Sequence, residues 1–284
     1  MTFRAAVVQM RSGRDPEANV ASMDRLVREA AGEGAHYIQT PEMTGLVCAQ
    51  RSVFFERVPD AATNPVSERA AALAAELGVF LHVGSTPIRV ADRQAANRAF
   101  VFAPDGACLA TYDKIHMFDV DLDGGESWRE SAVYRPGERA VVVDMLGTRF
   151  GLSICYDMRF AALHRLYAEE GAEILTAPSC FTRQTGRAHW HALLRARAIE
   201  NGAWMIAAAQ GGEHEDGRTT FGHSLIVSPW GEIAAEVDGE HEGIAFATID
   251  PGAARAARAK VPNLRNGRDF TLHHAGERVA DAAQ

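Results

Sequence analysis

The sequence contains no apolar run close to the roughly 20 residues that a helix needs to cross a bilayer, and we therefore predict no membrane-spanning segment. Its first residues, MTFRAAVVQM, lack the apolar stretch of a secretory signal, so we expect no signal peptide. No basic block is present, and the formal net charge is −8. This charge argues against nucleic acids and anionic membranes as the main partners.

Cysteine is scarce, with 4 residues in 284 and no CxxC pair. Such spacing does not build a disulfide framework, and the simplest compartment is a reducing cytoplasm. The sequence also lacks HExxH, GxGxxG, P-loop and GxSxG motifs. His189 and His191 resemble a metal pair, but side chains at i and i+2 of a helix do not face each other. We therefore predict neither a cofactor nor a metal site.

What the sequence does contain is an alternation of short apolar runs with helical patterns. Hydrophobic residues make up 47% of the chain, enough for a substantial core. Strands alternate with helices predicted from Asp15-Pro16, from Asn64-Pro65, over about 158–170 and over 187–201. Hairpins are predicted at Pro104-Asp105-Gly106, Leu146-Gly147-Thr148 and Pro229-Trp230-Gly231. With no linker or internal repeat, this order predicts an α/β layered fold with a mixed sheet, in a single domain 1–284.

Cys155 occupies an unusual place in this pattern, because the apolar run FGLSI leads directly into it and polar residues follow. A strand that ends where a helix begins is a common ligand-binding position in α/β folds. The free N–H groups of a helix start favour a thiolate and an oxyanion. A buried structural cysteine is the competing interpretation, since free cysteines are often core residues. We interpret Cys48, Cys108 and Cys180 as structural.

A nucleophile needs a base and an oxyanion donor, and two other predicted strand ends offer them. Glu42 follows the strand AHYIQT, and Lys114 ends a strand in TYDKIH. Alone, each residue is equally compatible with an ordinary surface charge. Together with Cys155, they place a carboxylate, an ammonium and a thiol at one predicted sheet edge.

These segments resemble the three catalytic motifs of the nitrilase superfamily, the carbon–nitrogen hydrolases. The motif residues are Pro41-Glu42, Tyr112–His116 and Ile154–Phe160. The segments GAEILTAPS, TGRAHWHALLRARAIEN and GHSLIVSPWGEI resemble the branch that holds omega-amidase and the amidase of deaminated glutathione. The resemblance covers nearly the whole chain, and it implies a four-layer αββα sandwich that extends on homodimerisation.

The resemblance also implies a Glu42–Lys114–Cys155 triad and a second glutamate, which Glu130 matches better than Glu126. Glu42 would take the proton of Cys155, and the thiolate would attack an amide carbon. Lys114 and the backbone N–H of Tyr156 would stabilise the oxyanion. Glu130 would hold Lys114 or assist the base.

The implied substrate is a small carboxylated amide, and its carboxylate needs a cation because burying an unpaired charge is expensive. Arg183 is the first candidate, in a predicted loop after EILTAP, followed by Arg159 and Arg187. Gln39-Thr40, Cys180 and Arg187 depart from the usual pattern of the family. Two other functions stay open: an N-carbamoyl amino acid hydrolase using the same triad, and a non-catalytic member that serves in protein association.

Overall fold

The computed structural model describes residues 1–274, so the last ten residues of the predicted domain 1–284 lie outside the described part. The helices in this part are α1 (Pro16–Gly32), α2 (Arg51–Arg57), α3 (Pro65–Leu77), α4 (Ala161–Glu169), α5 (Arg183–Asn201) and α6 (Pro251–Lys260). Short 3₁₀ turns lie at Ala61–Thr63, Asp123–Gly125, Glu130–Ala132 and Cys155–Arg159.

The strands fall into two six-stranded sheets and two small ribbons. The first sheet has the order β16 (Gly243–Ile249), β1 (Phe3–Gln9), β2 (Tyr37–Gln39), β3 (Phe80–Ala91), β4 (Gln94–Phe102) and β5 (Cys108–Asp113). The second has the order β15 (Ile233–Glu236), β14 (Leu225–Val227), β11 (Trp204–Ala207), β10 (Ile174–Thr176), β9 (Thr148–Gly151) and β8 (Val142–Met145). The ribbons are β6 (Asp119–Asp121) with β7 (Ser127–Arg129), and β12 (Gly211–Glu213) with β13 (Thr219–Phe221).

Both sheets are mixed, as predicted. The central strands β1, β2 and β3 are parallel, as are β9, β10 and β11. The strands that flank these cores, β16 and β4 in the first sheet and β8 and β14 in the second, run antiparallel to them. The edge strands β5 and β15 are antiparallel to β4 and β14, so they run in the same direction as the cores. Because the central strands of each sheet are parallel, their carboxyl ends lie at one edge of the sheet, where α/β folds usually bind ligands.

Two buried layers hold the sheets and helices together. One core lies between the sheets and under α4 and α5, and includes Tyr37, Phe150, Trp190 and Met205. The other joins the opposite face of the first sheet to α1 and α3, with Met23 and Leu73 among its members. The layers therefore run α, β, β, α within one chain, which confirms the four-layer fold.

Several local sequence signals act as predicted. Asp15 and Asn64 cap α1 and α3 by accepting hydrogen bonds from the backbone N–H groups of Glu17 and Ser67. Gly78 ends α3 in the left-handed conformation, with a φ of 67°, where glycine carries no Cβ penalty. All three predicted hairpins form: each predicted turn joins two adjacent antiparallel strands, β4 to β5, β8 to β9 and β14 to β15.

Two predicted helices begin elsewhere. The helix predicted over about 158–170 is a 3₁₀ turn at Cys155–Arg159 followed by α4, which starts at Ala161. The helix predicted from Arg187 starts at Arg183, capped by Thr182, so Arg183 lies in a helix and not in a loop. Gly186 lies inside this helix, although glycine disfavours helix. Phe221 packs against it so closely that there is no space for a side chain at this position. A Cβ at position 186 would lie 2.2 Å from the Cβ of Phe221.

Candidate active site

The predicted triad residues converge at the carboxyl ends of strands from both sheets. Glu42 follows β2, Lys114 follows β5, and Cys155 follows β9 after the segment 152–154. The backbone N–H of Cys155 donates to the Pro178 carbonyl at 2.9 Å, and the N–H of Cys180 donates to Glu42 Oε2 at 2.8 Å. These two bonds tie the second sheet to the first across the site.

Lys114 is the centre of the charged cluster. Its Nζ donates to Glu42 Oε1 at 2.9 Å and to both carboxylate oxygens of Glu130, each at 2.9 Å. Only 2% of the Lys114 side chain and 4% of the Glu42 side chain are exposed. Asn97 Nδ2 donates to Glu42 Oε1 at 2.9 Å, which fixes the carboxylate from another side. The expected ammonium–carboxylate contact is therefore present and desolvated.

Glu130, rather than Glu126, reaches the cluster. Glu130 Oε2 also accepts the backbone N–H of Phe118 at 2.6 Å, which fixes the carboxylate against Lys114. Glu126 instead accepts from the indole N–H of Trp128 at 2.6 Å. The structure therefore brings Glu130, and not Glu126, into contact with Lys114.

Burial and charge act on the protonation of the cluster in different directions. Burial opposes the charge of Lys114, but the Glu130 and Glu42 carboxylates outweigh it and hold the pKa of Lys114 well above its usual value. Burial also raises the pKa of Glu130, against the pull of Lys114. Burial, reinforced by the Glu42 carboxylate, raises the pKa of the Cys155 thiol well above its usual value. The free site therefore holds a thiol beside a charged lysine.

The backbone of Cys155 is held in an unusual conformation. Its φ is +49°, in the left-handed region that non-glycine residues seldom adopt. Such strain persists only where the surroundings enforce it, and it is concentrated at functional sites. Cys155 is 7% exposed and lines the site cavity, so the thiol faces a ligand space rather than the solid core.

Asp157, which the sequence interpretation passed over, joins two of the motifs. Its Oδ2 accepts from the Tyr112 hydroxyl at 2.7 Å and from the Ile154 N–H at 2.9 Å. Its Oδ1 accepts from the His116 N–H at 2.9 Å. One fully buried carboxylate therefore holds the segments on either side of Lys114 and Cys155 in register.

A cavity of about 490 Å³ opens over these groups. Its lining includes Glu42, Lys114, Glu130, Cys155, Tyr156 and Cys180. Apolar and aromatic walls complete it, with the side chains Leu46, Phe54, Phe118, Trp128, Tyr134 and Phe181. A mostly apolar space with a few convergent polar groups suits a small organic ligand.

The arginines predicted to bind a substrate carboxylate do not line this cavity. Arg183 is partly exposed and pairs with Glu240 at 3.4 Å. Arg159 lies behind the aromatic wall, 5.8 Å from the Tyr156 ring centroid and 5.6 Å from that of Phe181. Arg187 is exposed on α5. The lining arginines are Arg51, Arg129 and Arg218, none of which the sequence interpretation selected.

Known proteins with this sequence pattern agree with the geometry. Residues 4–259 match the family model described as carbon-nitrogen hydrolase. The chain belongs to the carbon–nitrogen hydrolase family. It is 35% identical to omega-amidase NIT2 of Homo sapiens over 269 residues, covering 94% of this chain and 95% of that one. It is 36% identical to the deaminated glutathione amidase of Synechocystis sp. (strain PCC 6803 / GT-S), covering 93% and 97%.

Solved structures of the family support the same assignment. The NitFhit protein of C. elegans superposes with a TM-score of 0.87 at 32% identity, over 94% of this chain and 65% of that chain. A glutamate-to-glutamine variant of the amidase from Nesterenkonia sp. AN1 superposes with a TM-score of 0.77 at 25% identity, over 92% and 98%. In that structure acrylamide has added to the active site cysteine. This carbon–nitrogen hydrolase is accordingly an amidase of the nitrilase superfamily, as predicted, and the amidase relatives favour this assignment over an N-carbamoyl hydrolase or a non-catalytic member.

His189 and His191, two residues apart on α5, have different partners. His189 Nδ1 contacts the Arg159 guanidinium at 3.3 Å, whereas His191 Nε2 contacts Glu236 Oε1 at 2.7 Å. His223 Nδ1 shares the same Glu236 oxygen at 2.8 Å. Hydrogen bonding to one carboxylate accounts for the His191–His223–Glu236 group.

Within residues 1–274, none of the helices has the length and apolar character that crossing a membrane requires.

Proposed function

We propose that this chain hydrolyses the amide bond of a small carboxylated amide through a thioester on Cys155, releasing ammonia. The observation that carries the proposal is the buried contact of Lys114 with Glu42 and Glu130, which line the Cys155 cavity. The names of the relatives, omega-amidase and deaminated glutathione amidase, support the substrate class.

Glu42 is the general base in this mechanism. The thiol is neutral in the free site, so an attack on the amide carbon needs a proton acceptor at the moment of reaction. Glu42 Oε1 is held by Lys114 and Asn97, and Oε2 by the Cys180 N–H, so the carboxylate is fixed in place. The proton taken from Cys155 then passes to the leaving nitrogen, and ammonia departs.

Lys114 supplies charge to the oxyanion that forms when sulfur adds to the carbonyl. The N–H of Tyr156, directly after the nucleophile, supplies a second donor from the cavity wall. Glu130 acts as a positioning residue, because it fixes Lys114 through two oxygens without contacting the reacting atoms. No histidine has a role, in contrast to Cys–His hydrolases.

Water completes the cycle. Glu42 takes a proton from a water molecule, which attacks the thioester carbon. The carbon–sulfur bond then breaks, and Glu42 returns the proton to the departing sulfur. The products are a carboxylic acid and the regenerated thiol. One amide and one water therefore give one acid and one ammonia, without an oxidant or a cofactor.

Trapping the intermediate tests this proposal. Enzyme mixed with a carboxylated amide and quenched in acid should show an acyl mass on the Cys155 peptide, and none on the peptides of Cys48, Cys108 or Cys180. Cys155→Ala should release no ammonia and keep its fold, whereas Cys108→Ala, an exposed thiol on β5, should behave as wild type. Turnover by a verified Cys155→Ala protein would rule out the mechanism. Carbon dioxide in equal amount to ammonia would indicate a carbamoyl substrate instead.

We also propose a homodimer of a single 1–284 domain. From the sequence, the apolar residues Trp190, Leu193 and Leu194 of α5 are expected near the dimer interface. Trp190 and Leu194 are instead fully buried core residues of the protomer, and Leu193 is half-buried. The apolar surface near α5 consists instead of Ile199 and Trp230, which are 52% and 57% exposed. Light scattering at micromolar concentration should give twice the mass of one chain, and Ile199→Glu with Trp230→Glu should give monomers. A monomeric wild type would contradict the dimer.

The compartment we propose is a reducing cytoplasm. Its support is that the four cysteines, the nucleophile among them, are unpaired thiols.

A further inference from the structure

Arg218 is a largely buried cation on the cavity wall, and its ion pair with Asp216 is long, at 3.8 Å. It lies in the turn between β12 and β13, and 17% of its side chain is exposed. Its guanidinium carbon lies 4.4 Å from the centroid of the Trp128 ring, which forms another part of the same wall. Charged side chains in such places are normally paired and hydrogen-bonded.

The partners available to Arg218 are weak. Asp216 Oδ2 lies 3.8 Å from its Nη2, beyond hydrogen-bond distance, and Cys180 Sγ lies 3.9 Å from its Nη1. Arg218 Nε and Asp216 Oδ2 are both buried without a hydrogen-bond partner. A fork that can make several charge-assisted hydrogen bonds therefore faces the cavity with most of that capacity unused.

The turn that carries Arg218 is rigidly mounted. His214 Nδ1 contacts the Ser12 carbonyl at 2.8 Å, and His214 Nε2 contacts Thr220 Oγ1 at 2.8 Å. The Arg218 N–H donates to Asp216 Oδ1 at 3.0 Å, which closes the turn. The sequence predicts a solvated loop at His214–Asp216, but His214 and the Asp216 carboxylate are buried. The backbone that carries the guanidinium is thus held in place before any ligand arrives.

Arg218 is also close to the catalytic groups. Cys180 contacts Arg218 through its sulfur and Glu42 through its N–H, at 3.9 Å and 2.8 Å. With ordinary bond lengths inside one cysteine, the guanidinium lies within about 10 Å of the Glu42 carboxylate. That separation suits a ligand with a few carbons between its amide and its charged end.

We propose that Arg218 binds the carboxylate of the substrate, with Trp128 supporting the guanidinium from its face. This inference rests on the proposed amidase function and narrows the substrate to a short dicarboxylic monoamide. The substrate carboxylate makes two hydrogen bonds with Nη1 and Nη2 in place of the long contact to Asp216.

The other lining arginines are less suited to this role. Arg51 is exposed and donates to the Ala132 carbonyl at 2.7 Å. Arg129 is half exposed and binds both oxygens of Asp121, at 2.8 Å and 2.9 Å. Lys114, the remaining lining cation, is already occupied by two carboxylates. Among the described residues that line the cavity, Arg218 is therefore the cation best placed for a substrate carboxylate.

Matched substrates test the proposal. Succinamate and butyramide differ by a carboxylate against a methyl group, so the ratio of their kcat/KM values measures recognition of the charge. Arg218→Gln should lower this ratio about 10- to 100-fold, the value of a hydrogen-bonded charge contact, and change butyramide turnover by less than about threefold. Arg218→Lys should recover part of the ratio, because it keeps the charge and loses the fork. Arg183→Ala, the rival assignment, should leave the ratio at the wild-type value.

A binding measurement separates this inference from the mechanism. Calorimetry of Cys155→Ala with succinamate should show binding that is lost in Cys155→Ala/Arg218→Gln, whether or not wild type turns the compound over. If the wild type hydrolyses neither compound, the proposed function is contradicted. The calorimetric result would still decide the role of Arg218. Equal loss of both substrates in Arg218→Gln, loss of the ratio in Arg183→Ala, or unchanged binding in the double variant would overturn the proposal.

Discussion

Replacing Lys114 by methionine tests whether this residue is catalytic or merely balances charge. Its ammonium lies 2.9 Å from Glu42 and from Glu130, and is 2% exposed. Removing one member of a buried ion pair costs about 3–5 kcal/mol, because the other charge is left unpaired. Lys114→Met leaves two carboxylates in that state. We therefore expect its free energy of unfolding to fall by at least that amount, with one carboxylate taking up a proton near neutral pH.

A second substitution separates the two roles. Wild type holds one ammonium and two carboxylates, a net charge of −1, and Lys114→Met/Glu130→Gln holds one carboxylate, also −1. The double variant leaves one buried carboxylate without its ammonium instead of two, so it should regain part of the lost stability. Its activity should not return, because loss of one oxyanion donor costs about 2.7–4 kcal/mol in the barrier, or 10²- to 10³-fold in kcat.

The assays are urea unfolding followed by circular dichroism, and ammonia release at saturating substrate. Glu130→Gln is the matched control, since it keeps Lys114 and carries the same second change. We expect the urea midpoint of the double variant to lie between those of Lys114→Met and Glu130→Gln, and its kcat to be at least 100-fold lower than that of Glu130→Gln. A kcat within about tenfold of that control would show that Lys114 only balances charge.

Two further predictions concern protonation. The Glu42 carboxylate helps to raise the pKa of Cys155. Glu42→Gln should therefore shift the pH profile of iodoacetamide alkylation at Cys155 to lower pH, and it should abolish turnover. A profile that stays in place or moves to higher pH would mean that Glu42 does not act on the resting thiol. Burial lowers the pKa of His82 from 6.5 to about 3. Below pH 6.5 the unfolded chain therefore binds more protons at this residue than the folded chain does. The free energy of unfolding falls as the pH falls, by about 2 kcal/mol at pH 5. Urea unfolding at pH 7 and pH 5 should show that His82→Gln reduces this pH dependence by about that amount, and an equal dependence in the variant would contradict the assignment.

The parts of the fold set by neighbouring residues were predictable from the sequence. Caps at Asp15 and Asn64 and the hairpin turns depend on a few adjacent residues, and the structure has them as predicted. Strand β16 was not predicted. It is defined by its pairing with β1, in which Phe3 lies opposite Ile249, and local pattern says little about such distant partners.

The site divides in the same way. Glu42, Lys114 and Cys155 follow strand ends, so the layered fold itself brings them together. Arg218 was missed because its burial depends on the ribbon folding over Trp128 and Cys180, which are distant in the sequence. Arg183 attracted attention as a loop residue after an active-edge strand, but the Thr182 cap places it at a helix start beside Glu240.

The charges of the site explain why the nucleophile is kept as a thiol. A permanent thiolate beside Glu42 and Glu130 would add a third anion to a buried space with the single ammonium of Lys114, and burial alone already opposes it. In the reaction, the proton moves from sulfur to Glu42 while negative charge moves outward onto the carbonyl oxygen. The negative charge then passes from Glu42 to an oxyanion that also interacts with Lys114, without any increase in the net charge of the cavity. This arrangement favours the transition state over the resting anion, which is the condition for a higher kcat.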